Sequence, residues 1–453
     1  MKRFLGLASA LSLCVIFSAC GDTFRPIIIP NPPTFPNPAA AHTVVSVNDN
    51  APPPGQAESA LGTAMVIDVT GDIDTSIANV GLAPVFAVQQ SASEVLVANH
   101  SVTGAIADSV TKLNFFGITI GSTNTISMPP NSAPNFLATT EANQAYVLLP
   151  NLPAVGVINT LSNTLVNTVA VGNNPDAMAE TANGQKLYVA NLGDNTVSGF
   201  NTATGSLSSR GNVIGNFNAP LWISARSDSQ RVYVLNGNGV LSTVDTTSTA
   251  GPDNVIDASI TAPAGAAFMF YDVNKNRLYI PGGTTLTILD VSGSIPKLLA
   301  ALTIPTAMPS SRLSFDPCAT TAVQTLTVSA VTALPDGSRA YVGAYYEDLS
   351  DNICPEVAVI DVPSNTVKTY FGVPGSPAFD EFCSTTRFRI MMAAAGDSTR
   401  AYLSSCDGGN VSLVDTSIDN YILNLAAPIG IRAPIPPNPQ NPPQNPVFLI
   451  AGP

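Results

Sequence analysis

Charge is scarce in this chain. Asp, Glu, Lys and Arg make up 11% of its 453 residues, against roughly a quarter in soluble domains generally. Cations are scarcer still, 18 against 31 acidic side chains, for a formal net charge of −13. Such a surface is unsuited to neutralising phosphates, so nucleic acid is excluded as an expected partner. Histidine occurs only at His42 and His100, and tryptophan only at Trp222. Neither histidine accompanies a Gly-x-Ser-x-Gly elbow, which removes the usual sign of a Ser–His nucleophile; His100 reads as a polar loop residue and Trp222 as core. There is no CxxC pair for zinc, no CxxCH for haem, no DxDxDG loop for calcium and no GxxxxGK phosphate loop. No catalytic residue, cofactor ligand or metal ligand is therefore assigned. Helical periodicity is also missing over any useful length.

One apolar run stands out. Lys2 and Arg3 precede Phe4 to Ala19, 16 residues that are too few and too small for a comfortable membrane span. The run ends in Phe17-Ser18-Ala19-Cys20-Gly21, with small residues at the two positions before a cysteine. This segment resembles a bacterial lipobox, with Phe17 where leucine is usual. The resemblance implies removal of residues 1–19, diacylation of Cys20 and attachment of the chain to a membrane; Gly21 rather than Asp implies the outer membrane in a cell that has two. Two or three acyl chains hold a protein stably where one does not. The expected location is the bacterial cell envelope, lipid-anchored and extracytoplasmic.

The remainder is repetitive. A β-type run recurs as Val95-Leu96-Val97-Ala98-Asn99, Ala145-Tyr146-Val147, Leu187-Tyr188-Val189-Ala190-Asn191, Val232-Tyr233-Val234-Leu235-Asn236, Leu278-Tyr279-Ile280, Ala340-Tyr341-Val342 and Ala401-Tyr402-Leu403. Successive anchors are 50, 42, 45, 46, 62 and 61 residues apart, close to the 40–45 or so that four short strands with tight turns require. The two longest intervals imply loop insertions. A second alternating run follows each anchor and usually closes on Asp or Asn, as in Val155–Asn159, Leu241–Asp245, Leu286–Asp290, Val357–Asp361 and Val411–Asp415; such a residue suits a turn. Asn183-Gly184 and Asp336-Gly337 sit where a hairpin turn needs positive φ. A two-sheet sandwich would not require so regular a return. The fold expected is all-β: a β-propeller of four-stranded blades with seven complete repeats.

Pro175 to Ala179, then Asn183-Gly184-Gln185-Lys186-Leu187-Tyr188-Val189-Ala190-Asn191, then Asp194-Asn195-Thr196-Val197-Ser198 resemble a YVTN-type propeller repeat, with Ala190 in place of the threonine. The resemblance spans about residues 60–427 and is strongest around 146–245. It implies radial four-stranded blades and no particular activity.

An open ring would expose edge strands to aggregation. Met65–Asp68 looks like a third strand lacking a first and second, Ser76–Val80 like its fourth, and Val447–Ile450 places Phe448 one repeat after Tyr402. A split eighth blade made from both termini would use all of these, and the balance tips to eight blades over seven. The Pro-rich stretch 434–446 is loop or polyproline II either way. Residues 20–58, rich in proline between Pro30 and Pro54, read as a lipidated cysteine and spacer, and 59–453 as a single propeller domain.

With Cys14 lost and Cys20 acylated, Cys318, Cys354, Cys383 and Cys406 remain. An even number in an exported chain suggests two disulfides, for which three connectivities exist. Cys318 and Cys383 precede the innermost strands of consecutive blades, while Cys354 and Cys406 follow second strands. All four then lie on one rim, and repeat equivalence favours Cys318–Cys354 and Cys383–Cys406. The same insertions carry Asp316, Glu347, Asp348, Asp351, Glu356, Asp380, Glu381 and Asp407 beside Arg312 and Arg387. They form either an acidic binding face or a solvated loop surface.

The function expected is a monomeric binding or scaffold module for an extracytoplasmic protein, peptide or glycan, tethered to the membrane through Cys20. The alternative is a propeller-type hydrolase or lactonase with a metal-binding central channel; the absence of a catalytic motif favours the non-enzyme. Metabolic labelling with an alkyne fatty acid should tag the wild-type protein and not Cys20→Ser; equal labelling of both would remove the anchor.

Overall fold

A computed structural model describes residues 43–50, 60–100, 108–141, 143–202, 212–248, 253–307, 312, 314, 316–319, 324–378, 380–421, 429–430 and 445–452. Cys20, His42 and the 434–444 part of the Pro-rich stretch lie outside them. Valine, isoleucine and threonine dominate the strands, where β-branched side chains pack well on a pleated surface. They form eight antiparallel sheets of four strands, two of which carry one further short strand. The ring has eight blades.

Blade 1 holds Asn445–Ala451, Thr43–Asp49, Thr63–Asp68 and Ile73–Asn79, from axis to rim. Blades 2 to 8 follow in chain order, their innermost strands being Pro84–Ser91, Phe136–Glu141, Pro175–Glu180, Pro220–Ala225, Phe270–Asp272, Thr327–Ala333 and Ile390–Ala394. Second strands are buried after their first residue and apolar up to a closing asparagine, as in Lys186–Asn191 and Arg231–Asn236. The rim strands are mostly exposed, as in Thr164–Ala170 and Lys297–Thr303. The apolar core therefore lies between neighbouring blades and around the axis.

Closure differs from the sequence expectation in one respect. Thr43–Asp49, placed in the spacer by its prolines, is the buried second strand of blade 1. It pairs antiparallel with both neighbours: Val45 lies opposite Ile450 on one side and Val66 on the other. The C-terminal strand is therefore innermost rather than second, and blade 1 is divided one strand against three. A signal for this was present. Ser46-Val47-Asn48 ends as Val97-Ala98-Asn99 does, and the two asparagines act alike. Asn48 Nδ2 donates to Thr63 Oγ1 at 3.3 Å, as Asn99 Nδ2 does to Thr111 Oγ1 at 3.0 Å and Asn191 Nδ2 to Ser198 Oγ at 3.0 Å. The hairpin turns at Gly184 and Gly337 do adopt positive φ, 66° and 68°, but Asn183 and Asp336 do not; only glycine occupies the left-handed position there.

Blades are clasped on the face where second strands begin. The residue two before the anchor tyrosine is Lys186, Arg231, Arg277, Arg339 or Arg400 in blades 4 to 8, and each reaches the next blade's turn between third and fourth strands. Lys186 meets Asp253 at 2.8 Å, Arg231 donates to the Ser294 carbonyl at 3.1 Å and Arg277 donates to Asn365 Oδ1 at 2.9 Å. Arg339 meets Asp419 at 3.0 Å, and Arg400 meets Asp72 at 2.9 Å, which joins blade 8 to blade 1. The tyrosines follow the same path: Tyr188 donates to Asp253 at 2.6 Å, Tyr341 to Asp419 at 2.7 Å and Tyr402 to Asp72 at 3.0 Å. In blade 2 the cation sits one strand out, where Lys112 donates to the Thr160 carbonyl at 2.9 Å and to Glu94 at 3.0 Å. Buried phenols such as Tyr188 and Tyr402 are held well above their usual pKa, first by desolvation and then by these carboxylates. They stay neutral donors.

Asp72→Ala removes the acceptor shared by Arg400 and Tyr402. It should cost about 2 kcal/mol of unfolding free energy, read from urea titration; a loss indistinguishable from zero would show that this clasp does not hold the closing blades together.

Candidate functional site at the channel mouth

The innermost strands bring one side chain each to the axis at an equivalent position, and most are aromatic. Phe448, Phe86, Phe136 and Trp222 come from the innermost strands of blades 1, 2, 3 and 5, and Phe268 and Phe388 enter from the segments just before the innermost strands of blades 6 and 8. Phe86 stacks on Phe136 at 4.1 Å and lies 4.5 Å from Phe448; Trp222 meets Phe136 edge-on at 5.3 Å and Phe268 at 5.0 Å; Phe388 closes the set against Phe268 at 5.5 Å and Phe448 at 5.6 Å. All six are at most 3% exposed. Each contributes about 2–3 kcal/mol by burial, and ring pairing adds about 0.5–1.5 kcal/mol per contact. At this level the channel is a packed apolar core.

A cavity of about 290 Å³ opens where the innermost strands begin. One wall is strand starts from blades 1 to 4: Val447, Pro84 with Val85, Asn135 and Asp176. The other is the helix Asp380–Thr385 and the residues just after it, contributing Phe382, Thr385, Thr386 and Arg387. Arg387 joins cavity to plug. Its guanidinium lies 5.6 Å from the Phe136 ring centre and 5.4 Å from that of Trp222, and it donates to both the carboxylate and the carbonyl of Asp176. The Thr385 and Thr386 hydroxyls donate back to the Phe382 and Cys383 carbonyls at 2.9 and 3.0 Å, which leaves their oxygens as acceptors. Asn135 Oδ1 is buried without a hydrogen bond among the described residues. The cavity thus offers acceptors, one aromatic-backed cation and an apolar side.

Two disulfides hold this face. Cys383–Cys406 pins the helix to blade 8, with a Cα separation of 5.7 Å, and Cys318–Cys354 pins the preceding insertion to blade 7, at 5.8 Å. Asn445 Nδ2 donates to the Cys406 carbonyl at 2.9 Å and to Cys383 Sγ of the helix at 3.7 Å, so the ring-closing strand holds both halves of this disulfide. The pairing and the common rim match the expectation from the repeat.

The acidic face does not match it. Asp316, Asp348 and Asp407 are buried. Asp316 binds Arg312 at 3.2 Å and accepts the Cys318 amide at 2.9 Å; Asp348 accepts the Ser350 and Asn352 amides at 2.7 and 2.9 Å; Asp407 holds Arg389 at 2.7 Å. A loop without secondary structure must satisfy its own amides, and Asp316 and Asp348 do so. Glu347 and Asp351 remain exposed, Glu347 lying 3.6 Å from Arg389. Asp380 and Glu381 open the helix; their side chains lie outside the described residues. The buried members of the expected patch, Asp316, Asp348, Glu356 and Asp407, are internal stapling, and sequence reasoning missed Asp49, Asn135 and Asp176, which line the cavity from blades far from the insertions.

Glu356 has an unusual position. It is buried between Arg312, at 3.1 Å, and the Ala307 amide, at 2.9 Å. Burial lifts the Glu356 carboxyl to about 7, against the opposing pull of the Ala307 amide and the Arg312 guanidinium. His100 is half-buried beside Ala83 at the cavity wall, its amide donating to the Ala83 carbonyl at 2.9 Å. Burial lowers its imidazole below the ordinary value, against the opposing pull of Asp108.

No protein family matches the chain, and no curated protein does. Solved structures do. AztD from Citrobacter koseri superposes with a TM-score of 0.57 at 12% identity, covering 90% of this chain and 97% of that one. The dihydro-heme d1 dehydrogenase NirN in complex with DHE gives 0.56 at 13% identity, over 86% and 74%. A protein from Lactobacillus plantarum gives 0.50 at 15%, over 74% and 97%. What they share is the fold. At such identities no ligand or reaction transfers from them.

The Glu356 assignment carries a sign. The folded state keeps a proton that the unfolded chain releases near 4.5, so stability falls as pH rises from about 4.5 to 7. Between pH 5 and 8 the wild type should lose about 2–3 kcal/mol more than Glu356→Gln, measured by urea unfolding at both values. Parallel losses would contradict the shifted carboxyl.

Proposed function

We propose that the chain is a bacterial cell-envelope lipoprotein, acylated at Cys20, whose YVTN-type propeller is a binding or scaffold module for an extracytoplasmic protein, peptide or glycan. Recognition takes place at the channel mouth on the disulfide-stapled face. One observation carries this reading: a preformed cavity sits over an axis filled by six aromatic rings, roofed by a helix that a disulfide and Asn445 hold in place. Concave, mostly apolar pockets with a few convergent polar groups are the usual form of a binding site, and rigid loops on a scaffold are where recognition resides. The axial positions where a channel-centred hydrolase would place carboxylates are phenylalanine and tryptophan here.

Trp222 is the only tryptophan in the chain and lies under Arg387, so its emission reports on the cavity. Peptide and oligosaccharide libraries screened by Trp222 fluorescence should yield ligands whose affinity falls about tenfold in Arg387→Ala, the loss of one charge-assisted contact. Ligands indifferent to Arg387 would move the site elsewhere. Stoichiometric bound metal with turnover of lactones would replace this reading with the hydrolase.

A further inference from the structure

The face opposite the cavity carries a pattern of its own. Third and fourth strands are joined there, and in four consecutive blades the turn presents a large apolar side chain to solvent. These are Ile418 in blade 8, Ile73 in blade 1, Phe116 with Ile118 in blade 2, and Leu161 in blade 3. Phe116 is 86% exposed, Leu161 76%, Ile418 64% and Ile73 56%. The tips of blades 1 and 2 adjoin: Thr75 Oγ1 donates to the Ile118 carbonyl at 2.7 Å and the Ile120 amide donates to Ser76 Oγ at 3.2 Å. Single exposed apolar residues are ordinary; the same turn in four neighbouring blades is a patch. On the cavity side, the exposed large apolar residues of the described rim loops, Leu61, Leu152 and Leu349, belong to blades 1, 3 and 7, no two adjacent.

Three carboxylates at the base of the blade 8 and blade 1 tips are matched by cations, and Asp68 accepts the Thr70 amide. Asp72 and Asp415 lie 2.9 and 3.4 Å from Arg400, and Asp419 lies 3.0 and 2.6 Å from Arg339 and Lys368. Apolar ends above neutralised pairs can approach a low-dielectric surface without stranding a charge.

The position of the tether identifies that surface. The chain enters blade 1 at Thr43, which lies opposite Asp68, the residue that begins the Ile73 turn. The segment from Cys20 thus reaches the ring on this face, in the middle of the four apolar tips. Its 22 residues could span at most about 75 Å, enough to let the face lie flat against the bilayer that holds the lipid.

We infer that the turns of blades 8, 1, 2 and 3 seat the propeller on the membrane surface, with Ile418, Ile73, Phe116 and Leu161 at the headgroup–acyl boundary and the cavity directed away from it. This rests on the lipoprotein reading above. Interfacial seating of apolar side chains beside a lipid anchor supplies the second signal that makes attachment stable.

The test uses the full lipidated protein in vesicles of E. coli polar lipid, with bimane placed at Ser162→Cys beside Leu161 or at Ser350→Cys on the cavity rim. Nitroxide-labelled lipid should quench the first and leave the second unaffected, and Phe116→Asp with Leu161→Asp should abolish the quenching. Both substituted side chains are exposed, so folding, checked by far-UV circular dichroism, should persist. Equal quenching at the two sites, or quenching only at 350, overturns the proposal. The Cys20→Ser protein separates the two ideas. Should the wild type fail to associate through lipid, the tether reading falls, yet partitioning that drops about tenfold in the double variant would still support the apolar face. Partitioning and quenching indifferent to the tips would overturn it even where the tether holds.

Discussion

The pairing of Val44–Val47 with Phe448–Ala451 is the interaction on which everything else in this protein depends. Eight separate sheets would each leave apolar faces open to water, and the circle hides those faces by packing blade on blade; the circle in turn is held by one antiparallel join between segments some four hundred residues apart in the chain. Because the C-terminal strand is innermost, the same join delivers Phe448 to the aromatic axis and Val447 to the cavity wall. It also places Asn445 against the helix that roofs the cavity. A long-range closure of this kind carries a loop entropy that only cooperative packing offsets.

The two faces divide the remaining work. On one, cations two residues before the anchor tyrosines of blades 4 to 8 bridge to the next blade, and buried phenols add neutral hydrogen bonds to several of the same carboxylates. On the other, the second strands of blades 1, 2, 4 and 5 carry an asparagine at or next to their end that ties to the third strand, and insertions in blades 7 and 8 are stapled by disulfides and by carboxylates that satisfy loop amides. Arg312, Asp316, Asp348, Glu356 and Asp407 near the insertions are consumed by structure. What is left open is a small acceptor-rich cavity backed by Arg387, and this is why recognition, rather than a diffuse acidic attraction, is the reading the geometry favours.

Much of the architecture was legible in the sequence, for physical reasons. Second strands are buried on both faces, so their composition is constrained and the anchors at 146, 188, 233, 279, 341 and 402 repeat visibly. Strand direction put the four cysteines on one rim, and repeat equivalence favoured the pairing that the structure shows. Thr43–Asp49 was hidden because valine fills the tyrosine position and prolines flank it, although its terminal asparagine matched the other blades. The aromatic axis was not legible: Phe86, Phe136, Trp222 and Phe448 sit in first strands of variable sequence, Phe268 and Phe388 come from the segments just before such strands, and only the ring brings them together. The acidic residues misled for a different reason. Composition reveals that a loop carries carboxylates but not whether they turn outward to solvent or inward to amides, as Asp316 and Asp348 do.

Hydrogen exchange of the native protein, followed by mass spectrometry, tests the closure most directly. Amides of Val44–Val47 and Phe448–Ile450 should exchange as slowly as those of Val189 and Val234 in the middle of complete blades, and should open with them as one cooperative unit. Exchange of the terminal strands on the scale of an unprotected chain, while the other blades stay protected, would contradict an eight-bladed ring joined across the two ends of the chain.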